Sequence, residues 1–432
     1  MPHDLSTDRP SLEQIFKVVE QKRDRIIALM QGLIRIPTVV PPGDNYEALV
    51  NFLEPLFKKI GFTTDRIVVP EEYIKSIPYP LKGPRINLVA TREHGRKETV
   101  TIYAHMDVVP IEEPWTKDPF EGIVEGDKLY GRGACDMKSG IAGMLIALEV
   151  MDELRLEPHY NIVCTLCTDE EIGVYPGIYH LAKEGYVKGH VINTEGGTQD
   201  PIIIAGVAGM VDVIIRTKGR SAHSGISFVG INAVEEMLPF IDELRQLKVE
   251  IEKRESSIPI LPALREVGAP SDQMTSLFNL NIIRGGTKSN IVPSECELVI
   301  NRRYISEEKY DDIIAEIQAA IDRGMTKSKA LDVEVTFIHA YYPFKTDTES
   351  KYIQKMNKAL KAVHGYQESD LIYGGASIST DMGFVAKALN TDKFVGVGGL
   401  TVDNLSAHQP DEYVRISDLI NLIKQLIHYL CL

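Results

Sequence analysis

The chain has 432 residues, 44% of them apolar, which exceeds the length at which single cores usually stop growing and sets two domains as the expectation. Its 61 acidic residues against 47 Lys and Arg leave a formal charge of −14, which argues against nucleic acid or an anionic membrane surface as the main partner, since both reward clustered cations. Five cysteines, a polar start from Met1 to Pro10 and the lack of a long uninterrupted apolar window fit a soluble, cytoplasmic protein in a reducing compartment better than a disulfide scaffold, a secreted chain or a membrane span.

The first helix is announced by Ser11-Leu-Glu-Gln14, a capping-box pattern, with apolar residues following at Ile15, Val18, Val19, Ile26, Leu29, Met30 and Leu33. Val40-Pro-Pro-Gly-Asp44 breaks the chain, and a second amphipathic helix is expected near Tyr46 to Ile60, with Gly61 placed to end it. Strand-like runs follow at Arg85 to Ala90 and Thr99 to Ala104, then a helix over Ser139 to Leu154 and a strand from Asn161. Cys164 and Cys167 spell C-x-x-C inside that last run, yet residues three apart on a strand point to opposite faces, so a buried strand is preferred to a redox or metal pair. Strands alternating with helices predict an α/β sheet with a substantial parallel part.

From Val207 to His339 the texture changes. A strand at Val211 to Thr217 precedes a helix at Ala233 to Leu247, and strands at Ser276 to Ile283 and Glu297 to Tyr304 follow. A helix from Glu307 to Arg323, with Gly324 as its stop, and a strand at Val333 to Ile338 complete a β-α-β-β-α-β order, that of a ferredoxin-like α+β sandwich. Pro343 marks a return to the first domain, which helices near Lys351 to His364 and Ile416 to Leu430 would complete. The expected division is 1–206 with 340–432 around a central mixed sheet, and 207–339 as the inserted unit.

Metal-dependent hydrolysis needs ligands on rigid elements, an open coordination position and a carboxylate base nearby. His105 follows the strand ending at Ala104, which puts its ring at a strand's C-terminal end, where α/β sheets place their sites. Asp107, two residues on, lies on the same side of an extended chain and could hold the imidazole's far nitrogen. The glycines of Gly131-Arg-Gly-Ala-Cys-Asp-Met-Lys138 allow a tight backbone around Asp136. Thr168-Asp-Glu-Glu-Ile-Gly173 leaves a strand with two adjacent acids, Glu170 and Glu171, an arrangement that a pair of cations would justify. Glu195 ends the run Val191 to Thr194 ahead of Gly196-Gly197, and His408 stands in a polar loop before the final helix. Taken singly, each piece has an ordinary structural explanation as a turn, a cap or a solvated acid pair; their order, with acids and imidazoles repeatedly falling where strands end, is what points to a metal site.

Ala104-His-Met-Asp-Val-Val-Pro110, Pro114-Trp…Asp118-Pro-Phe120, the Gly131 to Lys138 run, Asp169-Glu-Glu-Ile-Gly173 and Glu195-Gly-Gly197 resemble the zinc aminoacylase and carboxypeptidase family, which includes acetylornithine deacetylase and succinyl-diaminopimelate desuccinylase. The resemblance runs collinearly from about Ser11. It implies two divalent metal ions, zinc with cobalt or manganese as substitutes, held by His105, Asp136, Glu171, Glu195 and His408, with Asp136 bridging. It also implies Glu170 as general base, Asp107 as the residue orienting His105, and a bond between Asp136 and Met137 that is often cis in family members.

The inserted unit would be a lid and dimerisation domain. There Gly219-Arg-Ser-Ala-His223-Ser-Gly225 is similar to the segment whose histidine reaches a neighbouring subunit's site, so a homodimer is implied. Asn290, Arg303 and the Gly374-Gly375 loop match positions that hold the substrate's carbonyl and carboxylate, with adjacent Arg302 able to exchange roles with Arg303. The chain departs from its relatives at Ala376, Ser377 and Ile378, and at Asn301, where Asp is common. Both departures bear on specificity and leave the metal chemistry untouched. The implied reaction is cleavage of the amide bond of an N-acyl amino acid, with a dipeptide as the alternative substrate. A non-catalytic scaffold and a two-metal phosphoesterase are the rival classes; the first has no reason to keep the acidic cluster, and the second lacks the lid and His408 segments.

Overall fold

The structure, a computed structural model, describes residues 10–195, 201–398 and 406–432. Two compact units emerge. One comprises the chain up to Ile204 with Thr346–Tyr373 and Phe384–Leu432; the other comprises Ala205–Lys345 with Gly374–Gly383. The segment 207–339 marked out by the sequence lies inside the second unit, which also takes in the Gly374 loop. That loop joins it through backbone pairing: Gly375 bridges Ile260, and its carbonyl accepts from Leu261 N at 3.1 Å.

In the first unit, helix α1 (Leu12–Gln21) starts on the reciprocal capping box of Ser11 and Gln14. The apolar stripe predicted one continuous helix, but the chain turns at Lys22 and restarts as α2 (Arg23–Ile34); no Pro or Gly marks the break. Helix α3 (Tyr46–Lys59) stops just before Gly61, which takes φ +80, a left-handed conformation that costs glycine least.

The central sheet contains β1 (Thr63–Val68), β2 (Ile86–Arg92), β3 (Thr99–His105), β4 (Asn161–Cys167), β5 (His190–Asn193) and the returning strand Phe394–Gly396. Their order is β1-β2-β4-β3-β5 and then the returning strand. The last four are mutually parallel, while β2 runs antiparallel to both β1 and β4. Parallel strands are covered on both faces, and β3 and β4 accordingly bury nearly every residue. Helix α4 (Lys138–Glu153) is buried almost throughout, packed against the helix Ile416–Cys431. Each fully buried Ile or Leu in these layers, such as Ile102, Leu166 or Leu422, stabilises the fold by roughly 1.5–3 kcal/mol. All five cysteines are buried and none forms a disulfide, with Cys164 and Cys167 on β4 as the strand expectation required.

Register is what creates a site. His105, the last residue of β3, stands opposite Cys167, the last residue of β4. The turns that follow, Met106-Asp107 and Thr168 to Glu171, therefore leave the sheet at one level and on one edge. Strand β5 ends close by in sequence to Glu195.

The second unit contains β6 (Gly209–Lys218), α5 (Ala233–Ile251), β7 (Leu277–Gly285), β8 (Glu295–Tyr304), α6 (Tyr310–Met325) and β9 (Asp332–Tyr341). Its sheet is antiparallel in the order β7-β8-β6-β9, which is the ferredoxin-like arrangement. Val211, Val213 and Ile215 of β6 pack with Phe240 and Leu244 of α5 and with Ile313 and Ile317 of α6. Gly324 does not stop α6; it lies buried inside the helix, where a Cβ would meet Phe240 Cδ1 at 2.7 Å, so it serves close helix packing. Among the described residues no helix is long and apolar enough to cross a membrane.

On β8 the neighbouring arginines part company. Arg302 is fully buried and ion-paired to Glu308, with Glu316 at 3.8 Å. Arg303 is only partly buried, donating through Nη1 to Ser379 Oγ at 2.9 Å and through Nε to Asn301 Oδ1 at 2.9 Å. Breaking a buried pair strands a charge, so Arg302→Met is expected to cost about 3 kcal/mol, the lower end of the usual range because Arg254 stays on Glu308. Arg303→Met should cost about 1 kcal/mol, the loss of ordinary hydrogen bonds. Urea unfolding of the two variants measures the difference, and equal losses would refute this division of roles.

Candidate metal centre

Burial fixes the first ligand's chemistry. His105 is wholly buried, and its Nδ1 lies 3.1 Å from the carbonyl oxygen of Asp107, with the Asp107 carboxylate at 3.6 Å. The His-x-Asp spacing points to that carboxylate for the orienting job, but the backbone carbonyl is the nearer acceptor. Asp107 Oδ2 accepts from Glu171 N at 3.0 Å, tying the turn after β3 to the turn after β4. A carbonyl can only accept, so Nδ1 carries a proton, and Nε2 is the nitrogen free to donate to a carboxylate when protonated or to turn a lone pair to a metal when not.

Nε2 faces Asp136. Asp136 Oδ1 is 3.1 Å from His105 Nε2, and Oδ2 is 3.3 Å from His408 Nε2. One carboxylate thus stands between two imidazoles, with one oxygen toward each. Glu171 Oε2 lies 3.0 Å from the same His408 nitrogen. His105, Asp136 and Glu171 each offer a ligand atom within 4.8 Å of the others. The peptide bond from Asp136 to Met137 is cis.

The Glu170-Glu171 turn is anchored by its own neighbour. Asp169, at φ +64, turns its carboxylate to Arg85 Nε at 3.3 Å and to the Tyr46 hydroxyl at 3.0 Å, all in the interior. Glu170 is buried and close enough to raise the proton affinity of His105. Glu195 lies outside the trio of mutually close donors; its Oε2 accepts from Asn193 Nδ2 at 3.2 Å, and its N–H donates to Asn193 Oδ1 at 3.0 Å. Gly196 and Gly197 lie outside the described residues.

The electrostatics call for positive charge. Burial, then the charge of Asp136, pushes the Glu171 carboxyl up to about 7. Asp136 is buried too, which alone would raise it, but hydrogen bonds from His105 and His408 hold it below the usual carboxylate range. The His408 imidazole is lifted to about 10 by hydrogen bonds to Asp136 and Glu171. His105 is also raised, because its hydrogen bond to Asp136 and the charges of Asp107, Asp136 and Glu170 outweigh burial. Protons on the imidazoles thus compensate the acids when nothing else does. Glu171 Oε1 and Asp107 Oδ1 are buried without a hydrogen-bond partner, although buried polar groups are as a rule satisfied. Imidazole nitrogens and carboxylate oxygens in this density suit a divalent ion of the zinc class, which supplies the missing charge without protons.

The remaining predicted residues belong to the second unit, where they form two groups. His223 is exposed, its Nδ1 accepting from Gly225 N at 3.0 Å. Its segment pairs with that of Asn290, since Ser224 N donates to Asn290 O at 3.0 Å and His223 bridges Ile291. Arg303 reaches Ser379, just past Gly374 and Gly375, which are themselves buried. Asn301 links Arg303 to Asp212 through an Nδ2 to Oδ1 bond of 2.7 Å.

Sequence reasoning passed over the anchors. Asp169 was read as part of a motif without a role, and its partners Arg85 and Tyr46 are distant in sequence. Lys138 is fully buried, donating to Leu33 O at 2.9 Å and Ile36 O at 2.7 Å; burial pushes its ammonium down to about 7. A lysine among apolar residues at a helix start is the one signal that could have marked it.

Comparison with known proteins places the chain in a family. The profile of peptidase family M20/M25/M40 matches residues 101–431. A succinyl-diaminopimelate desuccinylase of Thioalkalivibrio sulfidiphilus is 28% identical over 335 residues, 75% of this chain and 81% of the relative. Among solved structures, a di-peptidase from Saccharomyces cerevisiae superposes with a TM-score of 0.78 at 17% identity, covering 97% of this chain and 98% of its own. An M20 family metallo-carboxypeptidase from Sulfolobus solfataricus gives 0.76 at 18% identity, covering 94% and 98%. The profile takes in His105, Asp136, Glu171 and His408 together with the inserted unit, and the chain belongs to peptidase family M20/M25/M40, a family of hydrolases.

Proposed function

We propose that the chain is a two-metal amidohydrolase that removes the acyl group from an N-acyl amino acid. The observation that carries this reading is Asp136 held between His105 and His408, one oxygen toward each, with Glu171 beside them. The desuccinylase relative supports an acylated amino acid as substrate. The di-peptidase likeness speaks for the fold alone, and a dipeptide is the alternative because its linear amide is the same bond.

His105, Asp136, Glu171, Glu195 and His408 would hold the two ions, zinc first, with cobalt or manganese accepted by the same mixed donors. Bound there, the ions would polarise the amide carbonyl and bring the ionisation of water toward neutrality. Glu170 takes the proton of the attacking water and returns it to the leaving amine. Asp107 keeps His105 turned by its carbonyl and, by its carboxylate, holds the backbone of Glu171. Arg303 offers the substrate carboxylate a planar fork, with Asn290 and the Gly374-Gly375 loop as further substrate contacts.

His223 would act on the oxyanion in the site of a second copy. Support for a dimer comes from the surface of the second unit. Strand β7 is a sheet edge, exposed from Asn281 to Gly285, and large apolar side chains are out in solvent at Ile283, 55% exposed, and Phe228, 84% exposed. An unpaired edge with exposed apolar groups is a ready surface for pairing. A cytoplasmic setting fits five cysteines that form no disulfide.

Assay of N-acetyl and N-succinyl amino acids beside dipeptides, with zinc or cobalt, tests the reaction directly. Hydrolysis of acylated amino acids is expected, and exclusive turnover of dipeptides would overturn the deacylase reading in favour of the alternative. In the same assay Glu170→Gln should retain bound metal and lose on the order of 10²–10⁴ in rate; near-parental turnover would remove Glu170 as the base.

The trans role of His223 has its own check. His223→Ala and Glu170→Gln should each be inactive, and mixed dimers formed by unfolding and refolding the two together should recover activity, since one site then holds an intact Glu170 and the partner's His223 of unmutated sequence. No recovery from dimers shown to be mixed would refute it.

A further inference from the structure

Asp136 can stand between two imidazoles only if the turn carrying it is held to within a fraction of an ångström. Its own helix reaches only the carbonyls of that turn, Lys138 N donating to Gly133 O at 2.9 Å and Ser139 Oγ to Cys135 O at 3.0 Å, and leaves the N–H groups of Gly133, Cys135 and Asp136 to another partner. The turn is held from outside, by a residue that none of the roles above includes. Glu412 is 1% exposed, and its carboxylate accepts four hydrogen bonds from one short stretch of chain. Oε2 receives Arg132 Nη1 at 2.9 Å and Gly133 N at 3.0 Å; Oε1 receives Cys135 N at 2.8 Å and Asp136 N at 3.1 Å. Four donors fill what a carboxylate can accept.

We infer that Glu412 is a positioning residue for the metal centre, shaping the Gly133–Asp136 turn and thereby setting Asp136 against His408. This rests on the two-metal reading above. Glu412 and His408 share one loop, so the chain from His408 to Glu412 and the bonds from Glu412 to the Asp136 turn form a closed ring around the 3.3 Å contact of His408 Nε2 with Asp136 Oδ2. The loop is fixed at two further points. Asp411 accepts from Thr116 N at 3.0 Å, Thr116 Oγ1 at 2.7 Å and Lys117 N at 3.3 Å. Gly131 N donates to Glu412 O at 2.9 Å, continuing the pairing of Tyr130 with Tyr413. Two adjacent acids thus clamp the His408 loop to two other loops, and only Glu412 touches the turn of a ligand.

A purely structural role would weaken the fold and leave the metal alone, so the test reads both. Metal affinity is measured by competition with a chromophoric chelator, the ligand field by the visible spectrum of the cobalt-loaded protein, and stability by thermal unfolding of the metal-free chain. Glu412→Gln turns one acceptor oxygen into a donor facing donors, and is expected to weaken metal binding by about 10–100-fold and to change the cobalt spectrum. Tyr429→Phe is the comparison: it deletes a buried hydrogen bond to His190, 2.8 Å long, in the same unit, and should lower the unfolding temperature with both metal readouts unchanged. Parental affinity and an unchanged spectrum in Glu412→Gln would overturn the inference. If that variant does not fold, Glu412→Asp keeps the charge opposite Arg132 and withdraws it by one methylene; it should show the same metal loss, and parental affinity there would overturn the inference equally. A parent chain that binds neither zinc nor cobalt in the first titration would overturn the two-metal reading itself, before any variant is compared.

Discussion

Negative charge gathered inside a protein is the constraint from which the rest of this structure follows. Asp107, Asp136 and Glu170 are buried near the C-terminal edge of the parallel strands, the Glu171 side chain is nearly so, and His105 and His408 stand among them as potential cations. Desolvation pushes such acids toward their neutral forms, and mutual repulsion adds to the push. Divalent ions relieve both at once, and a centre built this way binds metal more strongly the less it can satisfy its oxygens by other means. The orphaned Glu171 Oε1 is that principle at one atom.

Such a cluster survives only if its backbone cannot relax away. Each ligand turn is pinned by a buried group of opposite character. The Glu170-Glu171 turn is held by the pairing of Asp169 with Arg85 and Tyr46. The turn carrying Asp136 hangs on Glu412, whose charge is matched by Arg132. Lys138 closes the far side by donating to the carbonyls at the end of α2 and just beyond it. Removing any one of these charges leaves its partner buried and alone, which is why the anchoring groups are as exacting as the ligands themselves.

The fold was legible where short-range pattern decides it. The Ser11 capping box, the alternation across Val211 to Thr217 and the unbroken apolar run of β4 each map onto the element they announce. Failures fall where tertiary contact decides. The break at Lys22 has no local signal, and Gly324, read as a stop, is a packing position against Phe240. For the site, ligands were visible because they end strands or sit in glycine-rich runs. Their supports were not, since Arg85 with Asp169 and Glu412 with Gly133 are pairs that only folding brings together. The carbonyl of Asp107 was invisible for another reason: every residue has one, so composition cannot flag it.

The proposed roles in chemistry and in selectivity fall on different parts of the chain. All the proposed metal ligands and Glu170 belong to the first unit, and His223, Asn290, Arg303 and the Gly374 loop to the second. The departures from the family pattern fall in the second group, and Asn301 shows how such a change can act. An Asp there would face both Arg303 and the carboxylate of Asp212, neutralising the first and repelling the second. The amide does neither: its Nδ2 donates to Asp212 and its Oδ1 accepts from Arg303. Arg303 is thereby oriented by a neutral partner. In the proposed role at the substrate carboxylate, the guanidinium is less neutralised by its surroundings than it would be beside an acid. In the proposed reading, a neutral residue at this one position favours an anionic substrate on the second unit and leaves the proposed ligand set as it is.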